Sequence, residues 1–183
     1  MTWKVLITDY AWPNIEVEKK IIEESGGEVI VAPDDSEETL IRLSKDVDAI
    51  MTCFAQVTDK VIESAKKCVV IGRFGVGVDN ISVKKATELG IPVTYVPDYC
   101  MEEVSDHVLA LLHTWNRKIA LFDKSVKDQG WGHLKLSMRI MRLREKVLGI
   151  VGFGRIGQMV AEKASAFGMK IIANDPIISK NEM

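Results

Sequence analysis

The sequence predicts an α/β chain in two parts, a complete parallel-sheet lobe followed by a second parallel unit that is only begun. Three observations predict it. Residues 3–96 alternate short β-type apolar runs with amphipathic helical patterns. Pro97-Asp98-Tyr99 then breaks that alternation. Finally, Val147–Asp175 reads as strand, glycine-rich turn, helix and strand, with only eight residues after Asp175. Repeated β-α units imply a parallel sheet covered by helices on both faces.

In chain order, the strand candidates of the first part are Lys4–Thr8, Glu28–Ala32, Ala49–Thr52, Val69–Gly72 and Pro92–Val96. Each is a short Val/Ile-rich run bounded by polar or turn residues. Helix candidates lie between them at Asn14–Ser25, Ser36–Lys45, Asp59–Ala65 and Val83–Leu89. The first carries an apolar stripe opposite a charged face and stops at Gly26-Gly27. Thr58 and Ser82 have the side-chain oxygen expected of N-caps. Five such strands make a complete small domain of flavodoxin-like type, residues 1–98.

The second part, residues 99–183, opens with a helix candidate from Met101 to Lys127. Val104, Val108, Leu111, Leu112, Trp115, Ile119, Phe122 and Val126 recur there at helical spacing. The stripe is wide enough both to pack on the next sheet and to face another subunit. Residues 128–146 read as irregular, with Gly130-Trp131-Gly132 and the basic residues Lys135, Arg139, Arg142, Arg144 and Lys146 on a solvated face. Strands at Val147 and Met169 follow. Two parallel strands leave a bare edge and an uncovered apolar face, where a mononucleotide-binding half needs three. The chain is therefore expected to be a fragment, or to be completed by something else.

The richest segment is Val147-Leu148-Gly149-Ile150-Val151-Gly152-Phe153-Gly154-Arg155-Ile156-Gly157. An apolar strand runs into G-x-G-x-x-G, a helix to Phe167 and a second strand ending at Asp175, 18 positions after Gly157 (175 − 157). Gly152 permits the tight turn, Gly154 the approach of a pyrophosphate to the backbone, and Gly157 close packing of helix on strand. The helix start offers N–H groups and the positive end of a dipole to phosphate. Asp175 lies where a carboxylate holds an adenosine ribose. A ribose 2′-hydroxyl can donate to it, whereas a 2′-phosphate about 4 Å away would be opposed by about 4 kcal/mol per charge pair at an effective dielectric near 20. Pro176-Ile177-Ile178 supplies no arginine and Lys180 is the nearest cation. NAD is favoured over NADP.

Composition narrows the setting. Over 183 residues, 47% are hydrophobic and the net charge is −2, ample for a globular core and no reason to expect nucleic acid or an anionic membrane as partner. Cys53, Cys68 and Cys100 are odd in number and lack metal or redox spacing, which fits a reducing compartment. Val5-Leu6-Ile7 is too short for a signal-peptide core, and no run approaches the length of a membrane span. A soluble cytoplasmic protein is expected.

A second glycine-rich loop, Arg73-Phe74-Gly75-Val76-Gly77-Val78-Asp79-Asn80, also follows a strand and precedes a helix. Asp98 lies 21 positions past Gly77 (98 − 77). Spacing alone would pass it as another dinucleotide turn, but Asn80 stands where the third glycine belongs. A turn of this kind can instead form an anion-binding nest of backbone N–H groups, or be purely structural. His107 and His113 fall on the long helix and read as satisfied structural histidines; His133 reads as solvated. Phe54 follows the third strand, where it either lines a cleft or packs in the core. Cys100, at the break, reads as a small apolar filler.

Together, Arg73–Asn80, Glu102-Glu103-Val104-Ser105-Asp106-His107 and Gly152–Gly157 with Asp175-Pro176, in this order and spacing, resemble the D-isomer-specific 2-hydroxyacid dehydrogenases. That family includes phosphoglycerate dehydrogenase, glyoxylate reductase and the C-terminal-binding-protein corepressors, and the stretch from Val96 to Val104 looks most like the corepressor branch. The resemblance covers essentially the whole chain. It implies a substrate-binding lobe at residues 1–98, an NAD-binding Rossmann lobe from 99 onward, and an active site in the cleft between them. It further implies that Gly152, Gly154, Arg155, Ile156 and Gly157 hold the NAD phosphates, with Asp175 on the ribose and Val76 near the nicotinamide. Val76 and Gly77 amides would hold the carboxylate of a small 2-hydroxy or 2-keto acid, with Arg73 and Phe54 as further substrate contacts. The family's catalytic Arg, Glu and His are expected beyond Met183, so the 183 residues alone are expected to be inactive. The family also suggests a homodimer. The rival expectation is a non-catalytic, NAD(H)-responsive binding protein of corepressor type.

Overall fold

The computed structural model describes residues 2–132 and 139–179, arranged as two compact units, Met1–Tyr99 and Cys100–Met183. In the first, strands β1 (Trp3–Ile7), β2 (Gly27–Val31), β3 (Ala49–Thr52), β4 (Val70–Arg73) and β5 (Val93–Thr94) alternate with helices α1 (Glu16–Glu24), α2 (Glu37–Ser44), α3 (Asp59–Ser64) and α4 (Val83–Glu88). The sheet is parallel throughout, in the order β2-β1-β3-β4-β5. This is the flavodoxin-like order, whose strand connections reverse direction between β1 and β3.

Side chains alternate across the sheet because successive strand residues point to opposite faces. Leu6, Ile50 and Ile71 join Leu40 of α2, Val61 and Ile62 of α3 and Ala86 of α4 in the main core. Val5 and Ile7 point the other way and meet Ile22 of α1. Both faces are therefore covered, as β-α alternation demands. Thr58 caps α3, its Oγ1 accepting from the Val61 amide at 3.5 Å. Ser82 does not cap α4 as expected. Its hydroxyl bonds Asp59 instead.

The fifth strand is shorter than the expected Pro92–Val96. Proline has no N–H to offer the ladder, and β4 ends at Arg73, so the edge loses its partner after Thr94. Backbone pairing resumes only where Val96 N–H donates to Gly75 O at 3.0 Å.

The second unit comprises α5 (Met101–Arg117), α6 (Ile119–Gln129), β6 (Val147–Val151), α7 (Arg155–Ala166) and β7 (Lys170–Asn174). The single helix expected over Met101–Lys127 is two. Lys118 adopts a left-handed conformation, φ 58°, and the helical ladder stops and restarts there. The buried face of α5 is Ser105, Leu109 and Asn116, with Leu112 half-buried in the same core. Of the expected stripe, Leu112 is on this face, whereas Val104, Val108, Leu111 and Trp115 lie one residue away, about 100° round the helix, and are exposed. An apolar repeat can mark a surface as well as a core, and here the repeat next to it is the one that packs.

β6 and β7 form a two-stranded parallel sheet in register from Val147↔Lys170 to Val151↔Asn174. One face, through Leu148, Ile150 and Ile171, packs on Leu109, Val160, Ala164 and Met169. The other carries Val151, 92% exposed, and Ile172, 62% exposed, the uncovered apolar face expected of a unit with two strands. Asn116 braces the segment before β6: its Nδ2 donates to Met141 O at 2.8 Å and its Oδ1 accepts from Met141 N–H at 3.1 Å. Lys163 ties α7 to the start of α5, reaching Glu102, Ser105 and Asp106. Of the basic stretch, Arg139, Arg142, Arg144 and Lys146 are exposed. Lys135, His133 and Lys180 lie outside the described residues. Among the described residues no helix is long and apolar enough to cross a membrane.

Candidate functional site

The candidate residues divide between the two units. In the second, the glycine turn joins β6 to α7. Gly152 takes φ +92°, a conformation L side chains rarely adopt, and its N–H donates to Asn174 O at 2.8 Å. Gly157 meets the opposite constraint: a Cβ there would stand 2.3 Å from Gly152 O, so α7 packs on the turn with no room for a methyl group. At Gly154, the N-cap of α7, a Cβ would meet nothing within 4 Å, and no side chain caps the helix. The space in front of the turn is open, and Ile156 is partly exposed beside it. The three glycines thus divide conformation, approach and packing as their spacing requires.

Asp175 is brought directly against this turn. One carboxylate oxygen accepts from Phe153 N–H at 2.7 Å, the other from Ile177 and Ile178 N–H at 2.8 and 3.0 Å. The Ile178, Ile177 and Phe153 amides hold its carboxyl below the ordinary value, so it is anionic at neutral pH. The sequence pattern assigns Asp175 to a sugar. Its geometry shows a prior structural task, fastening the glycine turn to the end of β7, with one acceptor position of the carboxylate left over. Gln158 Nε2 completes the turn by donating to Phe153 O at 3.0 Å.

In the first unit the candidates lie at the carboxyl ends of β1, β3 and β4, where the topology reverses between β1 and β3. Ligands of open α/β sheets bind in that position. The organising residue is Asp9, which sequence reasoning passed over as the polar end of the first strand. Asp9 Oδ1 accepts from Cys53 N–H at 2.9 Å, Oδ2 from Phe54 N–H at 2.6 Å, and Thr8 Oγ1 donates at 2.8 Å. Burial works to raise the carboxyl, but the amides of Cys53 and Phe54 and the Thr8 hydroxyl outweigh it and hold Asp9 below the ordinary carboxylate value. Burial first, then the charge of Asp9, pushes the neighbouring Cys53 thiol up. A strand-terminal acid at the reversal point was the available signal.

Phe54 is 67% exposed, which excludes the core-packing reading. Arg73 packs its guanidinium over the Phe54 ring, 5.7 Å from the centroid. Its Nε donates to Asn80 Oδ1 at 3.2 Å and its Nη1 to Phe74 O at 2.8 Å. Among the described residues Arg73 is in no ion pair. The Gly75–Gly77 segment lies beside it: a Cβ on Gly75 would come within 2.8 Å of Arg73 Nη1, and one on Gly77 within 2.9 Å of Asp79 Oδ1. Val76 is exposed. Trp12 meets Phe74 edge-on at 5.0 Å and Tyr10 at 6.0 Å, with the Trp12 Nε1 buried and unpartnered.

Asn80 explains why this loop is no second dinucleotide turn. It is buried, donates through Nδ2 to Ala55 O at 2.9 Å, and gives its carbonyl to Val57 N–H at 2.8 Å. Ile81 then bridges to Val57 before α4 begins at Val83. The loop is stitched to the one after β3 instead of entering a helix at the glycines. His113, read as satisfied, packs edge-on against Phe167 with its Nε2 buried and unpartnered. Cys53, Cys68 and Cys100 are free thiols, the first two buried.

A family model for the catalytic domain of D-isomer specific 2-hydroxyacid dehydrogenases matches residues 5–178. The chain is 43% identical over 178 residues to a D-3-phosphoglycerate dehydrogenase of Methanocaldococcus jannaschii, covering 97% of this chain and 33% of that protein. Among solved structures, a protein of Thermus thermophilus superimposes with a TM-score of 0.85 at 28% identity, over 97% of this chain and 57% of that one. An NAD+-bound 3-phosphoglycerate dehydrogenase of Entamoeba histolytica gives 0.76 at 25% identity, over 100% and 57%. The chain spans about a third of the length of the curated relatives it matches.

Proposed function

Since the chain belongs to the D-isomer specific 2-hydroxyacid dehydrogenase family, we propose that it supplies the substrate-binding lobe (residues 1–98) and the first part of the NAD-binding lobe (residues 99–183) of an NAD-dependent oxidoreductase acting on the CH–OH group of small 2-hydroxy acids. The observation that carries this reading is the Gly152 turn: φ +92° at Gly152, open space before Gly154, backbone contact at Gly157 and Asp175 hydrogen-bonded across it. Such a turn, opening a helix, is built to hold a diphosphate.

When bound, NAD supplies the hydride chemistry; the chain's own residues bind and orient. Gly152, Gly154 and Gly157 let the backbone and the Arg155 and Ile156 amides approach the phosphates. Asp175, anionic and already fixed by three amides, accepts from a ribose hydroxyl and repels a 2′-phosphate. In the first lobe the Val76 and Gly77 amides hold the substrate carboxylate, flanked by Arg73 and Phe54. The acid/base histidine of the reaction is not among these residues, and the 183-residue chain binds without turnover. The exposed stripe of Val104, Val108, Leu111 and Trp115 serves as a homodimer face.

A ¹H–¹⁵N NMR titration with NAD+ tests the cofactor half. Saturable shifts confined to Gly152–Gly157 and Asp175, with NADP+ at least about tenfold weaker, are expected. Equal affinity for the two, or no shift at the turn, would refute it. Oxidation of NADH by the purified chain with glyoxylate, pyruvate or hydroxypyruvate would refute the assignment of its catalytic residues elsewhere.

A further inference from the structure

The first unit also carries information on which acid it takes. Segments 8–15, 53–58 and 74–82, which follow β1, β3 and β4, contain no lysine or arginine. The cations beside them among the described residues are Lys60, which is paired with Glu37 at 3.1 Å, and Arg73, the last residue of β4, which is committed. Its Nε and Nη1 are donated to Asn80 and Phe74, and the flat face of its guanidinium lies on Phe54. Recognition of a phosphate calls for charge-assisted donors, best a bidentate fork, and this fork is largely turned inward.

The backbone is committed as well. The N–H groups of Cys53 and Phe54, successive amides at the end of β3, could form a nest for an anion. Both are instead given to the Asp9 carboxylate. A second anion at that point would find both donors taken and a negative charge in place. Asp79, exposed at the far end of the glycine loop, adds another.

Two apolar side chains, Phe54 and Val76, are exposed beside the glycine loop. Phe54 is 67% exposed, but its position is set: Asp9 anchors its amide and Arg73 backs its ring. Through Arg73 it adjoins the Gly75–Gly77 backbone. Val76 is exposed on that loop, and the Tyr10–Trp12–Phe74 aromatic series stands behind it.

We propose that this site selects 2-hydroxy and 2-keto acids whose third carbon bears an uncharged apolar group, branched aliphatic or aromatic, and disfavours phosphorylated ones. The proposal rests on the Val76–Gly77 amides as carboxylate holders. It separates this chain from the 43% identical relative named for phosphoglycerate. The carboxylate sits on the two amides and the side chain of the acid lies on the Phe54 ring.

The test is a ¹H–¹⁵N titration of the 183-residue chain with D-lactate, D-2-hydroxyisocaproate, D-phenyllactate and D-3-phosphoglycerate, following the amides of Val76, Gly77 and Phe54. The first three acids should shift Val76 and Gly77, with the two larger ones binding about tenfold more tightly than lactate, as burial of two or more methylene equivalents implies. D-3-phosphoglycerate should bind more weakly than lactate. In Phe54→Ser, a change at an exposed position, the preference for the larger acids should fall to within about twofold of lactate. If D-3-phosphoglycerate binds most tightly at Val76 and Gly77, or if Phe54→Ser keeps the tenfold preference, the apolar assignment is overturned while the carboxylate nest stands. If no acid shifts Val76 and Gly77, the nest itself falls, and the selectivity with it.

Discussion

Gly157→Ala and Gly154→Ala add the same methyl group three residues apart, and the two should behave oppositely. At Gly157 the new Cβ lies 2.3 Å from Gly152 O and 3.2 Å from Gly152 C. Carbon–oxygen contacts in proteins settle near 3.3 Å or beyond, so about 1 Å of separation has to be found. The opposing atoms are backbone and cannot swing aside. Either α7 lifts from β6, opening the Leu109, Val160, Ala164 and Met169 cluster, or the turn moves and loses the Gly152–Asn174 and Phe153–Asp175 hydrogen bonds. Overpacking costs about 1–3 kcal/mol, and a backbone obstacle places this case at the upper end, near 3 kcal/mol. With an m-value of about 1–1.5 kcal/mol/M for a small unit, the urea midpoint of residues 100–183 should fall by about 2–3 M. Amide cross-peaks of Ala164 and Gly149 would report that unit, and those of Leu6 and Ile50 the other, whose midpoint should not move. Gly154→Ala meets no atom within 4 Å at φ −68° and should change stability by less than about 0.5 kcal/mol. It places a methyl where phosphate must approach and should abolish NAD+ shifts at the turn. A Gly157→Ala midpoint within about 0.3 M of the parent, or a Gly154→Ala loss as large as that of Gly157→Ala, would refute this division of labour.

Other perturbations follow from single residues. Asp9 has a carboxyl held below its unfolded value, so its contribution is complete above about pH 4 and disappears as pH falls through the lower folded value. Acid titration of the first unit should show this loss, and Asp9→Asn, which turns an amide donor toward the Cys53 or Phe54 N–H, should remove it and cost about 2 kcal/mol at pH 7 by urea unfolding. Asn116→Ala strands both backbone groups of Met141 and should destabilise residues 100–183 by about 2 kcal/mol, with faster amide exchange at Met141. Glu145 sits at φ 66°. Relief of about 1–2 kcal/mol of left-handed strain, less about 0.4–1 kcal/mol of freedom returned to the unfolded chain, should make Glu145→Gly more stable by about 0.5 kcal/mol; a thermal midpoint below the parent's would contradict it.

The α/β alternation was legible because each strand of the first unit is a short run of β-formers set between polar turns. Only its boundaries moved, by a residue or two. What the second unit left open has one physical source, that hydrophobic period identifies a helix without saying which face is covered. In α5 the stripe Val104, Val108, Leu111 and Trp115 is exposed, while the face that packs contains Ser105 and Asn116, and Asn116 finds its partner, Met141, 25 positions away in sequence. The break at Lys118 was hidden for the same reason. Lysine is a good helix former, and its left-handed geometry comes with a buried stem and an ammonium 4.5 Å from the Trp115 ring centroid, a tertiary circumstance.

The two sites differ in legibility by the kind of atom that builds them. The Gly152 turn was readable because its requirements fall on glycines: one φ, one opening and one close approach, each of which excludes a side chain. The edge of the first sheet is built by side chains acting on backbone, and such work leaves little trace in spacing. Asp9 fixes the Cys53–Phe54 amides across 44 and 45 positions, and Asn80 joins the β3 and β4 loops across 25. Asp175 belongs to both kinds. Its distance from Gly157 marks it, but its three amide bonds show that a carboxylate must first hold the turn before it can hold anything bound there. A substitution at Asp9 or Asn80 should therefore act on a ligand through the geometry of the loops, one at Phe54 or Val76 by contact, and one at Asp175 by both.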